Sequence, residues 1–212
     1  VAAKLAGARR VIFTSNNLAV PLRLPWEMID YLMDRLVIAS CDVFVTASKA
    51  AGNSLSRRGF SQERILQIPN AVQVPGKLRP PADLRMELGL EAADVALLMP
   101  AFFEPRKGHA VLLEALRLLR ERRPPGADRL RLLLAGSGPL RAPIEKRVRK
   151  LGLEGAVRFL DYRTDIPDVL NACDGLILPS TSSEDMPYAI LEAMALSKPV
   201  IASRLSGIPE TV

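Results

Sequence analysis

Histidine and cysteine are almost missing from this 212-residue sequence: His109 stands alone, and Cys41 and Cys173 are the only thiols. Without a His/Cys cluster or an Asp-x-Asp pair, no bound metal and no cofactor are expected. The two cysteines lie far apart and outside any CxxC spacing, so they read as reduced thiols of a cytoplasmic protein. Aromatic residues make up only 5%, and no basic run is interleaved with stacking residues, so nucleic acid is not an expected partner. Long apolar runs are missing as well. Val95–Phe103 is among the longest and falls far short of the ~20 residues a membrane span needs. Residues 1–10 read as a short helical stretch ending in Arg9 and Arg10, not as the apolar core of a signal peptide.

What is present is ordinary globular material, with 49% hydrophobic and 25% charged residues. The length suits one large α/β domain, or one whole domain and part of another. Lys and Arg outnumber Asp and Glu by 29 to 23. Such a surface suits phosphorylated small molecules or an anionic membrane face, or is simply an arginine-rich surface. Residues 1–74 carry nine basic and five acidic side chains. That excess is compatible with a peripheral position at the inner face of a membrane but does not establish one.

From Arg129 onward, short apolar runs alternate with longer amphipathic ones. Strands are expected at Leu130–Leu134, Val157–Leu160, Gly175–Leu178 and Val200–Ala202, and helices at Leu140–Leu151, Ile166–Ala172 and Tyr188–Leu196. A strand at Val95–Met99 and a helix at Gly108–Arg122 precede them. This alternation implies a parallel sheet with crossover helices, a doubly wound α/β fold. Upstream, strands at Val11–Thr14, Val43–Thr46 and Ile65–Ile68 alternate with helices at Trp26–Ser40 and Ala50–Arg58. Residues 74–81, with Pro75, Gly76, Pro80 and Pro81, read as a loop. The expected division is therefore residues 1–74 and residues 75–212. Some 70 residues with three strands make about half a nucleotide-fold domain, so the first is expected to be incomplete, and the second to lack its last helix.

The chemistry concentrates in Ser180–Pro187 and the helix after it. Glu184 and Glu192 stand eight apart across a strand–loop–helix junction, at the end of a parallel strand where open α/β sheets bind ligands. Asp185 suits a helix cap, and Pro187 a first turn. Such a helix start offers unpaired N–H groups to an anion. Glu192, in the second turn, can accept from both hydroxyls of a diol; taken alone, it fits a surface helix position better. Lys107-Gly108 follows a strand and opens a helix, where an ammonium and open N–H groups suit phosphate. Gly136 and Gly138 read as residues of a tight strand-to-helix turn rather than as a phosphate loop.

Taken in order, Ile68-Pro69-Asn70-Ala71-Val72, Arg106-Lys107-Gly108-His109, Leu134–Pro139, Phe159–Pro167, Ala172–Ser180, Glu184–Ala195 and Lys198–Ala202 resemble the donor half of family 4 glycosyltransferases. The resemblance implies a GT-B fold with two Rossmann-like domains, and a retaining, metal-independent transfer from a nucleotide-diphosphate sugar to an acceptor hydroxyl. By position, Glu184 would sit beside the donor sugar, Glu192 would bind the ribose and Lys107 the diphosphate. Arg163 would frame the nucleobase, and Asp185, Met186, Pro187 and Tyr188 would complete the donor loop. Glu184 and Lys107 are the candidate catalytic residues. The departures are Phe102 where the family has an arginine, Asn16 near its first-domain histidine, and Ala71 and Gln73 in the interdomain motif. With an incomplete first domain, this stretch alone is expected to bind donor without transferring sugar. A degenerate relative that binds nucleotide sugars without turning them over is the alternative.

Overall fold

A computed structural model describes residues 2–15, 26–73, 76–182 and 184–212. The chain divides into two compact units. One comprises residues 1–70, 182–187 and 204–212, the other residues 71–181 and 188–203.

The first unit holds α1 (Ala2–Leu5), β1 (Ile12–Ser15), α2 (Trp26–Ser40), β2 (Val43–Thr46), α3 (Lys49–Arg57) and β3 (Ile65–Gln67). Its three strands pair in parallel in the order β1-β2-β3, with Phe13 beside Phe44 and Phe44 beside Ile65. Phe44, Leu55, Phe60 and Cys41 form its core, with the Phe44 and Phe60 rings edge to face at 4.7 Å. The start of α3 draws in two distant segments. Ser48 caps the helix by accepting from Ala51 N–H. The Glu210 carboxylate accepts from Lys49 N and Ala50 N at 2.7 and 2.8 Å, and Asp185 accepts from Ala47 N at 3.3 Å and from the Ser48 hydroxyl. Carboxylates at a helix start satisfy orphan N–H groups and the positive end of the helix dipole. These bonds explain why residues 182–187 and 204–212 belong to this unit.

The second unit adds α4 (Pro81–Glu87), β4 (Val95–Pro100), α5 (His109–Arg122), β5 (Leu130–Ala135), α6 (Arg141–Lys150), β6 (Val157–Asp161), α7 (Ile166–Ala172), β7 (Gly175–Leu178), α8 (Tyr188–Ala195) and β8 (Val200–Ala202). Its five parallel strands run β6-β5-β4-β7-β8. Leu132, Leu133 and Leu134 are consecutive and all buried, because a central parallel strand is covered on both faces. Met99, Phe103, Leu113, Leu116, Ile144 and Val148 pack into the same core. Burying each such side chain stabilises by roughly 1.5–3 kcal/mol.

The α/β fold class with parallel sheets, expected from the sequence, is the one observed. One helix was missed: α4 begins at Pro81, at the end of the stretch read as a loop. It has seven residues, no side-chain cap and one buried side chain, Leu84, so neither periodicity nor a cap marks it. Positions 74 and 75 of that loop, and Asn16, lie outside the described residues.

Candidate functional site

In the second unit the chain runs outward from β4 to β5 and β6 on one side, and from β7 to β8 on the other. The β4/β7 pair is therefore the point where strand order reverses, and ligands of open α/β sheets bind beyond the carboxyl ends there. Lys107 sits beyond β4, in a 3-10 turn (Pro105–Lys107) that ends at Gly108. That loop is fastened to the residues after β7: Thr181 N donates to the Arg106 carbonyl at 2.7 Å. Gly108 has φ +76°, and a Cβ there would lie 1.9 Å from the Pro179 carbonyl oxygen. Only glycine permits that approach. The helix that follows, α5, has no side-chain cap and no acidic residue in its first turn. Its first N–H groups and the half-buried Lys107 thus offer positive potential at the switch point.

Beside it, a cavity of about 260 Å³ opens at the carboxyl ends of β4 and β5 and the start of α7. Phe102, Gly136, Ser137, Tyr162, Arg163 and Ile166 are among its walls. Gly136 has φ +145° and a Cβ there would meet the Ala101 carbonyl oxygen at 2.2 Å, so the β5–α6 turn closes directly on the β4 loop. The Arg163 guanidinium is held by Asp165 at 2.6 and 2.8 Å and reaches Glu87 at 3.3 Å. These pairs turn its charge toward α4 and α7. Phe102 and Tyr162 are 50% and 74% exposed, so two aromatic rings stand largely in solvent at the cavity. Sequence reading did not bring this pair together, since sixty residues separate them.

Glu192 lies in α8, which packs on β7 and β8. It is half-buried, and burial alone pushes its carboxyl above the usual carboxylate range. Among the described residues, no cation offsets that loss of water. Tyr188, at the start of α8, is exposed. Glu184, Asp185, Met186 and Pro187 belong to the first unit. There Glu184 and Asp185 are buried, and the Met186 carbonyl accepts from Asn70 Nδ2 at 2.9 Å. Asp185 was expected to cap the helix after it; its two oxygens instead hold the start of α3. Among the described residues, no group of three His, Cys, Asp or Glu side chains has a metal-binding arrangement. No described helix is long and apolar enough to cross a membrane.

His109 opens α5, stacked on Phe103 at 4.3 Å between ring centroids. Both its nitrogens are buried without a partner among the described residues. Burial, and secondarily the Lys107 charge, lower its pKa from 6.5 to about 4. The unfolded chain therefore binds more protons between those values, and stability is lost as pH falls from 6.5 toward 4. The loss approaches about 3 kcal/mol at the acid end of that window. Urea melts of His109→Phe should show that dependence flattened; an unchanged pH slope would refute the assignment.

A doubly wound parallel sheet with an uncapped helix and a lysine at its switch point belongs to the Rossmann-like class of ligand-binding α/β units. Comparison with known proteins narrows the class. The family described as Glycosyl transferases group 1 matches residues 93–212, and the chain belongs to that family. It is similar to the putative glycosyltransferase EpsF of Bacillus subtilis, at 28% identity over 96% of this chain and 53% of that protein. It is also similar to the D-inositol 3-phosphate glycosyltransferase of Corynebacterium glutamicum, at 35% identity over 65% of this chain and 34% of that one. The chain thus spans about a third to a half of these relatives. Among solved structures, Anabaena Alr3699/HepE in complex with UDP and glucose matches with TM-score 0.85 and 25% identity, over all of this chain and 57% of that one. WaaG, a glycosyltransferase involved in lipopolysaccharide biosynthesis, shares the fold, with TM-score 0.72 at 18% identity over 99% of this chain and 64% of that one. The fold is thus of the GT-B type.

Proposed function

We infer that this chain carries the donor-binding half of a retaining glycosyltransferase. The whole protein would move a sugar from a nucleotide-diphosphate donor to a hydroxyl of a glycan, glycolipid or small molecule. The observation that carries this reading is Glu192: a carboxylate taken partly out of water, with no cation beside it among the described residues, is suited to accept from a ribose diol. Lys107 and the open start of α5 would hold the diphosphate, steadying charge on the leaving group as the glycosidic bond breaks. The aromatic-walled cavity, with the backbone around Arg163, would frame the nucleobase. Glu184 would lie beside the donor sugar, with Met186, Pro187 and Tyr188 completing the loop and Asp185 anchoring it. HepE has been crystallised with UDP and with UDP-glucose, which supports a uridine donor here. No metal is required in this scheme, and a cytoplasmic enzyme, peripheral at a membrane, is compatible with it.

A second reading, a nucleotide-sugar binder without turnover, is favoured by one observation: Phe102 stands exposed where the family carries an arginine. Turnover by the whole protein separates the two.

Calorimetry of the 212-residue chain against UDP, GDP and ADP tests the shared part. Binding of at least one, unchanged by EDTA, is the expected result. Absence of heat at millimolar ligand would defeat both readings. Binding that disappears in EDTA and returns with magnesium or manganese would defeat the metal-free scheme.

A further inference from the structure

A larger cavity lies at the other end of the second sheet, far from Lys107 and Arg163. Of about 550 Å³, it falls within the roughly 300–1,000 Å³ of small-molecule sites. It opens at the amino ends of β5 and β6, below the last turns of α5 and α6. Four arginines line it: Arg117, Arg120, Arg123 and Arg131.

Two of these charges are compensated. Arg117 pairs with Glu114 and Glu121, and Arg131 pairs with the buried Asp94 at 2.8 Å. The other two are not. Among the described residues, Arg120 donates only to the carbonyls of Asp128 and Leu130, each at 3.3 Å. Arg123 has no carboxylate partner among the described residues. The Asp128 carboxylate is the one acidic lining group outside these pairs.

Helix ends favour cations, but only to match a partial charge of roughly −0.5 each. Here α5 and its cap bring Arg120, Arg122 and Arg123, and α6 brings Arg149 and Lys150 besides Arg147, which pairs with Glu114 at 3.6 Å. That is far more positive charge than two dipoles call for.

The backbone adds an independent sign. Arg123 sits just past α5 with φ 45° and ψ 46°, a left-handed helix end that glycine usually fills. A bulky residue kept in a strained conformation, with its charge uncompensated, marks a functional position.

We propose that this arginine-lined cavity is a second anion site, which binds a phosphate-bearing ligand apart from the nucleotide-sugar donor. The phosphate belongs to a small metabolite or to a lipid headgroup. In both cases, two guanidinium groups without carboxylate partners offer charge-assisted hydrogen bonds to its oxygens.

The test is a titration of the chain with inorganic pyrophosphate, read from the amide NMR signals of Gly152 and Gly155, which line this cavity. Saturable shifts are expected. A side chain at Gly155 would meet no atom within 4 Å of its Cβ, so the sign of charge there can be changed without disturbing the fold. Followed at Gly152, Gly155→Asp should weaken binding and Gly155→Lys strengthen it, each about tenfold. Arg123→Gly should weaken binding to a similar degree while leaving the melting temperature equal or higher, because glycine relieves the left-handed strain. Flotation with phosphatidylglycerol against phosphatidylcholine vesicles separates the sources. Capture by the former alone, lost in Arg123→Gly, assigns the phosphate to a lipid. Without that capture, saturable pyrophosphate shifts assign it to a soluble ligand. If the shifts do not saturate, or ignore the charge at 155, and no Arg123-dependent flotation occurs, the proposal is overturned.

Discussion

Gly108→Ala should destabilise the second unit by about 2–5 kcal/mol. The left-handed backbone accounts for roughly 1–2 kcal/mol of that. Forcing a methyl group against the Pro179 carbonyl, 1.9 Å from where Cβ would lie, accounts for the remainder. Gly126→Ala is the control. Its φ is +82°, yet nothing lies within 4 Å of an added Cβ, so only the backbone part should appear. Urea unfolding of the two variants beside the parent measures the difference. Equal midpoint shifts would mean that the loop after β4 does not depend on its close seat against the loop after β7.

The second large effect falls on ligand binding. Glu192→Gln keeps the shape of the side chain and a comparable helix propensity but removes charge-assisted acceptance. Hydrogen bonds to charged groups are worth roughly 1.5–3 kcal/mol, so affinity for nucleoside and nucleoside diphosphate should fall alike, by about ten- to a hundredfold. Lys107→Ala should weaken only the diphosphate ligand to a comparable degree. Acidity gives a further check. Burial raises the Glu192 pKa, so parent affinity should decline as pH falls and the carboxylate takes up a proton. The glutamine variant should be flat over the same range. Parent-like nucleoside affinity in Glu192→Gln would reduce Glu192 to a helix-surface residue.

What the sequence revealed follows from where its signals are local. Ile166–Ala172, Gly175–Leu178 and Val200–Ala202 coincide with α7, β7 and β8. Gly175–Leu178 is an apolar run between Asp174 and Pro179, the trace that a buried parallel strand leaves, whereas Ile166–Ala172 is marked by Asp165 ahead of it and Pro167 in its first turn. Lys107 and Glu192 stood out through the order of several motifs, since a lone lysine or glutamate carries little information. What escaped detection was non-local. Asp185 turns to Ser48, 137 positions earlier, and no spacing rule reaches that far. Phe102 and Tyr162 line one cavity because the loops after β4 and β6 leave the same end of the sheet on either side of β5. Helix α4 went unread because one buried leucine makes no periodicity.

The bonds at the start of α3 also set an order of events during synthesis. Ser48 is made early, but Asp185 emerges 137 residues later, and Glu210, which holds the amides of Lys49 and Ala50, later still. By then all five strands of the second sheet have been made. The unit that is first in sequence is therefore last to gain its full set of hydrogen bonds. Its three-stranded sheet has to wait, on or near the ribosome, for contacts of very long sequence separation, which close slowly and leave edges exposed meanwhile.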